Sequence, residues 1–376
     1  MTAWLKGNLL PLILLLTGLS TWGYQLVSGL QVTGMSNQVL WGVYIGNFIF
    51  LVGIAASAVV LVVPVYFFDQ RDMAFAAVVG ECLALVAVVA AMLFVTVDIG
   101  QPWRFFHVLP GIGTPNFPTS IMAWDMLVLS GYMLLNAFLV IRYLMHGSAR
   151  EAADHPLWWM IIAAIMGIAI HTVTAFLLVA NPARPFWHSA VLAPRFIASA
   201  FASGAGLMIL ALASIEELRH VSYQVTTYLR RVMTVTLLIH FFLLAAELFT
   251  VYHHPTNHGH AARLLFGGLP GSWFHGPWIW LAITLEGLAG LLLLRFGLDK
   301  RPRQVHVAAI LLTIGVWMEK GPGLVIPAFT PSPLGEMALY QPTWVEGVIS
   351  FTILAGTLWF FHFLVLRVAR QGGPHV

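Results

Sequence analysis

The chain alternates long apolar runs with short connections that are dense in Pro, Gly, Trp and His. A membrane-spanning helix needs about 20 mostly apolar residues. That ruler selects ten segments: 9–30, 43–67, 74–97, 121–143, 157–180, 192–213, 232–252, 278–296, 305–320 and 345–367. The ninth is short and meets Glu319 and Lys320 ahead of Gly321-Pro322-Gly323, a breaker that predicts the end of the helix there. Lys6 ahead of the first run imitates a secretory signal. The run is too long and lacks a small-residue cleavage site, so it is expected to be the first membrane helix. The pattern predicts an all-α polytopic membrane protein in which residues 1–376 form one transmembrane domain with no soluble insertion.

Composition agrees. With 59% hydrophobic and only 9% charged residues, the chain has too little polar surface for a water-soluble globule, where about a quarter of residues are charged. The formal charge of +3 is scattered through short loops and makes no basic patch, which excludes a nucleic-acid binder. One cysteine, Cys82, lies inside an apolar run. A disulfide, a Cys-x-x-Cys zinc site and a cysteine-ligated iron–sulfur cluster are therefore excluded, and no metal site is expected.

Basic residues accumulate in cytoplasmic loops. Thirteen fall on one side (Lys6, Arg71, Arg142, Arg150, Arg219, Arg230, Arg231, Arg295, Lys300, Arg301, Arg303, Arg367, Arg370) and five on the other (Arg104, Arg184, Arg195, Arg263, Lys320), which predicts cytoplasmic termini. The outer connections, around 98–120, 181–194, 253–277 and 321–344, are the longer ones and suit docking of another protein. Small residues four apart, Gly42/Gly46, Gly53/Ser57, Ala200/Gly204 and Ala202/Gly206, predict close helix packing.

An ionisable side chain near the bilayer centre costs about 2.5–3.5 kcal/mol on insertion scales, so each one is a candidate for function. The candidates are Glu81, Asp125, His171, His240, Glu247 and Glu286. His240 and Glu247 lie two turns apart on one helical face, about 10 Å along the axis, and read as successive proton stations. Asp125, Tyr132 and Asn136 share a face of the fourth segment, a polar stripe expected to point inward. Glu81, Glu247, Glu286 and His240, with Tyr132, are expected to form a proton path. A rival reading, a b-type haem, has His171 and His240 as its mid-membrane pair and His362 as a further ligand. The paired spacing typical of two-haem proteins is missing, which makes haem b the weaker reading. A secondary transporter would show broken helices at matched positions of inverted repeats, and no clear pair stands out. His107, His188, His253, His254, His258, His260 and His275 fall in outer loops or at helix ends, where solvation explains most of them.

Several stretches resemble a known family. Trp41-Gly42-Val43-Tyr44-Ile45-Gly46-Asn47-Phe48 is similar to the opening of the core bundle in the NrfD/PsrC family of polysulfide-reductase-type membrane subunits. Asp98-Ile99-Gly100-Gln101-Pro102-Trp103-Arg104-Phe105-Phe106-His107 resembles that family's Asp-Leu-Gly-Arg-Pro-x-Arg-Phe-x-His signature, with Gln101 in place of an arginine. Trp124-Asp125, Ala183-Arg184-Pro185-Phe186-Trp187, Ala193-Pro194-Arg195-Phe196 and Glu319-Lys320-Gly321-Pro322-Gly323 running to Pro331-Ser332-Pro333-Leu334-Gly335-Glu336 look most like the DsrP and HmcC-type members.

The resemblance implies two four-helix bundles plus additional helices, no haem or cluster in the chain, and an exchangeable menaquinone-type quinone near the outer face. It implies a respiratory redox subunit of dissimilatory sulfur or sulfate metabolism in the cytoplasmic membrane. Its partners would be a DsrO-like ferredoxin-type iron–sulfur subunit and a DsrJ-like multihaem cytochrome c outside, a DsrM-like haem-b membrane subunit, and a DsrK-like cytoplasmic iron–sulfur subunit. Quinone chemistry moves two electrons and two protons, so it needs hydrogen-bonding or proton-carrying groups at the carbonyls and an apolar slot for the ring. Tyr44, Asn47, Asp98, His107, Asp125 and His171 are the expected lining, with Asp98, Asp125 and His171 closest to the chemistry. Trp41 and Trp124 are expected to wall the ring, and Arg104 to neutralise Asp98 or bind directly. A non-catalytic anchor for an iron–sulfur subunit is the remaining alternative.

Overall fold

A computed structural model describes residues 2–68, 70, 73–108, 112–114, 116–146, 157–215, 223–253, 257–268, 278–295, 302–329, 336 and 340–371. Much of the outer connection 253–277 and the stretch Pro331–Gly335 lie outside the described residues. Among the described residues twelve α-helices follow in order: α1 Thr2–Ser28, α2 Val43–Ala56, α3 Val59–Phe67, α4 Ala74–Asp98, α5 Ile121–His146, α6 Leu157–Val179, α7 Leu192–Ser214, α8 Tyr223–His253, α9 Asn257–Gly267, α10 Trp278–Leu293, α11 Pro302–Met318 and α12 Trp344–Gln371. Each of the ten apolar segments falls on helix. Among the described residues, eight stretches are long and apolar enough to cross a membrane: α2 with α3, α4, α5, α6, α7, α8, α11 with its extension, and α12. α1 is a further apolar helix of 27 residues and α10 has 16.

The helices form two four-membered groups. α2–α3, α4, α5 and α6 pack around one another, as do α7, α8, α10 and α11. The groups meet where α2 lies on α7 and α11 and where α6 lies on α7, while α1 and α12 pair outside the first group, with α12 against α4. Large side chains such as Leu134, Phe138 and Ile141 of α5 are exposed outward, as expected for a surface solvated by lipid.

Two segments depart from the prediction. The second is interrupted, because Ser57 and Ala58 bond three residues back, to the carbonyls of Ile54 and Ala55, and so tighten the helix at its middle. A backbone irregularity at membrane depth must have its polar groups satisfied by protein. The Tyr132 hydroxyl donates to the Ala55 carbonyl at 3.0 Å and the Tyr228 hydroxyl to the Val60 carbonyl at 2.9 Å. The ninth does not stop at Lys320. It runs on as a π-helical turn, Glu319–Val325, with Ile326 N–H bonded to the Gly321 carbonyl, and then as a 3₁₀ turn over Pro327–Phe329. Pro322 lacks a donor, but the wider turn and the flanking glycines accommodate it instead of ending the helix.

Glu346, fully buried at the start of α12, gathers the end of the molecule at which α4 ends and α5 begins. It accepts from Gly34 N–H at 2.7 Å, Thr343 N–H at 2.9 Å and the Tyr340 hydroxyl at 2.6 Å. Burial, and then the neighbouring Glu346 carboxylate, push the Tyr340 phenol up, so it remains a donor.

The small-residue stripes are contact surfaces. A Cβ on Gly204 would stand 2.0 Å from Cβ and Oγ of Ser57, and one on Gly46 would stand 2.9 Å from Gly321 Cα. Gly204→Ala is expected to destabilise the purified protein by about 1–3 kcal/mol through overpacking, seen as a lower thermal midpoint in detergent. Gly356→Ala, which meets nothing within 4 Å, should leave the midpoint unchanged or slightly higher.

Candidate functional site

The predicted site residues are spread over several places, most of them toward the end of the bundles at which α4 ends and α5 begins, whereas Glu81 lies near the opposite end of α4. Tyr44, fully buried near the start of α2, donates to Gln25 Oε1 at 2.8 Å, and Gln25 donates to the Val97 carbonyl at 2.7 Å. Asn47, one turn on, accepts from the Trp317 indole at 2.8 Å. Trp41 stacks on Trp187, ring centroids 5.6 Å apart, and meets Phe329 edge-on. Trp124 packs against Phe117 and donates its indole N–H to the Pro118 carbonyl at 2.8 Å, so the two tryptophans belong to different aromatic clusters. Arg104 and His107 are exposed on the short 3₁₀ helix Pro102–Val108 beside exposed Trp103, Phe105 and Phe106. Among the described residues no ion pair joins Arg104 to Asp98, whose buried Oδ1 lacks a partner.

The polar stripe of α5 does point inward: Asp125, Tyr132 and Asn136 are all buried. Asp125 accepts from the Thr174 hydroxyl of α6 at 2.7 Å, Tyr132 is engaged with the α2–α3 break, and the Asn136 amide donates to the Tyr132 carbonyl at 2.8 Å. Glu81 of α4 is buried near Tyr132 with Oε1 unpartnered. One turn before Thr174, His171 places Nε2 2.9 Å from the Phe196 carbonyl and 2.9 Å from Lys320 Nζ.

The second bundle holds an ionic cluster. Arg195 bonds Glu247 through Nη1, and its Nη2 lies 3.5 Å from Glu319 Oε1. His240 Nε2 lies 3.2 Å from Glu286 and 3.7 Å from Glu319. Lys320 follows Glu319 on the π turn, and all six side chains are at most 2% exposed. Arg195 and, when protonated, Lys320 face three carboxylates, Glu247, Glu286 and Glu319. A protonated His240 brings the group to neutrality, the arrangement a low dielectric favours. Both Glu286 oxygens, both Glu319 oxygens and both His240 nitrogens lack a fully formed hydrogen bond, so the cluster has unused capacity for protons or internal water.

Of the four acids and imidazoles expected on one proton path, His240, Glu247 and Glu286 meet here, whereas Glu81 lies in the other bundle. The ligand atoms of His240, Glu286 and Glu319 lie within 4.8 Å of one another, a spacing that a metal ion can bridge. Arg195 already faces Glu319, and a divalent cation would add charge that the cluster does not need. The two histidines weighed as haem ligands turn Nε2 toward separate partners, His171 to Lys320 and Phe196, His240 to Glu286. They do not present a shared slot.

Sequence reasoning missed Arg195, Glu319 and Lys320 as members of the site. All three stand in the stretches that carry the family resemblance, and each is a charge beside an apolar run. Glu319 and Lys320 read as a helix end because of the Gly-Pro-Gly that follows.

The model of a family described as "Polysulphide reductase, NrfD" matches residues 31–326. The chain is 30% identical, over 82% of its length and 73% of the relative's, to a putative dimethyl sulfoxide reductase membrane subunit of Halobacterium salinarum. It is 24% identical, over 81% of its length and 78% of the relative's, to a selenate reductase subunit of Mesobacillus selenatarsenatis. An Hdr-like menaquinol oxidoreductase integral membrane subunit of Archaeoglobus fulgidus is 24% identical over 51% of this chain and 47% of that one.

Arg195→Met is expected to destabilise the protein by about 3–5 kcal/mol, because it takes from the buried Glu247 its ion-pair partner and leaves Glu319 with His240 alone. The double variant Arg195→Met/Glu247→Gln should recover part of that loss. Thermal midpoints of the three purified proteins measure both effects, and equal midpoints for the single and double variants would contradict the pairing.

Proposed function

Because the chain belongs to the polysulphide reductase NrfD family, we propose that it is the quinone-handling membrane subunit of a multi-subunit oxidoreductase complex. It exchanges electrons between a menaquinone-type quinone and the clusters or haems of partner subunits. The observation that carries this reading is the set of buried titratable side chains with unused hydrogen-bonding atoms near one end of the bundles: Asp98, His171, His240, Glu286 and Glu319. Buried polar atoms in a lipid-solvated protein are retained at a cost, and hydrogen transfer to a lipid-soluble carrier is a use that needs them. One relative is a menaquinol oxidoreductase subunit by name.

With one cysteine, the chain offers no cysteine set for a cluster of its own. Electrons enter or leave through a partner docked at the end where Trp103, Phe105, Phe106, Ile112 and Phe117 stand exposed. The DsrP-like motifs favour a sulfur- or sulfate-metabolising complex with DsrO-, DsrJ-, DsrM- and DsrK-like companions, and the distribution of Lys and Arg favours cytoplasmic termini in the cytoplasmic membrane. Asp125 with Thr174, and His171 beside them, are the groups assigned to the quinone. His240, Glu247 and Glu286, joined by Arg195 and Glu319, hold the protons that the reaction consumes or releases.

In the intact complex, Asp125→Asn and His171→Ala are each expected to lower quinone-dependent turnover roughly 10²-fold, the usual scale for loss of a general acid or base, with assembly unchanged. Turnover at the wild-type level in both variants would make the chain a scaffold.

A further inference from the structure

Lys320 is a buried lysine at membrane depth whose ammonium group points at an imidazole. It is 0% exposed and stands on the π turn that extends α11. Nζ lies 2.9 Å from His171 Nε2, 3.4 Å from the Phe196 carbonyl and 4.9 Å from the centre of the Phe196 ring. The slot it fills is cut by a glycine. A Cβ on Gly53 would stand 3.0 Å from Nζ and 3.2 Å from both His171 Cε1 and Ala200 Cβ. The charges close enough to act on Lys320 are Glu319, Glu286 and Arg195, all of the ionic cluster.

His171 Nε2 has two neighbours that demand opposite roles. The Phe196 carbonyl, 2.9 Å away, can only accept, so toward it Nε2 must carry a hydrogen. A lysine ammonium can only donate, so toward it Nε2 must be a bare acceptor. The two bonds cannot coexist while the lysine is charged, and the junction therefore has two proton arrangements. In one, Lys320 donates to Nε2 and the ring hydrogen sits on Nδ1. In the other, a proton has moved from Nζ to Nε2, leaving a neutral amine, and Nε2–H donates to the Phe196 carbonyl. Nδ1 is buried and has no partner, so it is the atom from which the second ring proton can leave.

We propose that Lys320 and His171 form a proton junction that links the ionic cluster of the second bundle to the quinone-facing groups of the first. The proposal rests on the quinone reading above. A proton reaches Nζ from the cluster, passes to Nε2 as the Nζ–H bond breaks, and the Nδ1–H proton departs to the reduced quinone oxygen. One proton enters at the neutral amine and one leaves, no electron moves in the step, and the ring, left as the Nε2–H tautomer bonded to the Phe196 carbonyl, returns to the Nδ1–H tautomer before the next proton passes. Quinol oxidation runs the same sequence in reverse. The glycines at 46 and 53 then have a purpose beyond helix packing, since they let the π turn and its lysine lie against α2.

Lys320→Arg separates a relay from a structural charge, because a guanidinium keeps the positive charge but does not release a proton. In the intact complex in proteoliposomes, Lys320→Arg and Lys320→Met are both expected to cut quinol turnover by about tenfold or more. A quinone-site inhibitor should still bind within about twofold of wild type, and the solvent deuterium isotope effect on turnover should rise in both. Gly53→Ala, which keeps both side chains but crowds their contact, should slow turnover with the same enlarged isotope effect, and it answers the question should the lysine variants fail to assemble. Turnover and isotope effect at wild-type values in Lys320→Arg, or in Gly53→Ala where Lys320→Arg does not assemble, would overturn the junction while leaving the quinone reading intact. A wild-type complex that neither binds the inhibitor nor oxidises quinol would overturn both.

Discussion

Charges placed at membrane depth must be matched by other protein groups, since no water is at hand to solvate them. In this chain that requirement is met largely by Arg195. Its guanidinium bonds Glu247 on α8 and faces Glu319 on the π turn, so it joins three elements of the second bundle. His240 closes the set by reaching Glu286 on α10 and Glu319 again. The cluster thus binds all four helices of its bundle through charge, where lipid-solvated helices otherwise have only packing to hold them.

The irregular backbone follows from the same requirement. The π turn at Glu319–Val325 puts Glu319 and Lys320 among their partners and lets Gly321 lie against Gly46 of α2. The Ala55 carbonyl at the break between α2 and α3 accepts from Tyr132, and Tyr228, from the opposite bundle, satisfies the Val60 carbonyl that Pro64 leaves without its helical donor. Both irregularities lie where the two bundles touch, which is also where His171 of the first bundle meets Lys320 of the second.

The helices were legible in the sequence because lipid solvation leaves a strong signal: long apolar runs need no periodicity to be recognised. The polar stripe of α5 was legible for a similar reason, since a seven- and eleven-residue spacing fixes one face whatever surrounds it. The partners were not. Nothing local in the chain says that Arg195 and Glu247, 52 residues apart, form a pair, and Gly-Pro-Gly after Lys320 signals a helix end when the neighbouring α2 offers no visible accommodation. Tyr44, Asn47, Trp41 and Trp124 are grouped as quinone lining by the family resemblance and by quinone chemistry. Their own partners, Gln25, Trp317, Trp187 and Phe117, depend on position around the bundle, which no local pattern encodes.

Family membership, an ionic cluster with spare hydrogen-bonding atoms and exposed aromatic residues at one end are the observations on which the proposed handling of hydrogen from a lipid-soluble carrier rests. The most direct test is an electrochemically induced infrared difference spectrum of the quinone-loaded complex. The account predicts that reduction of the bound quinone perturbs carboxyl bands that disappear in Glu286→Gln or Asp125→Asn. A spectrum showing quinone bands alone, with no carboxyl band altered by either substitution, would contradict it.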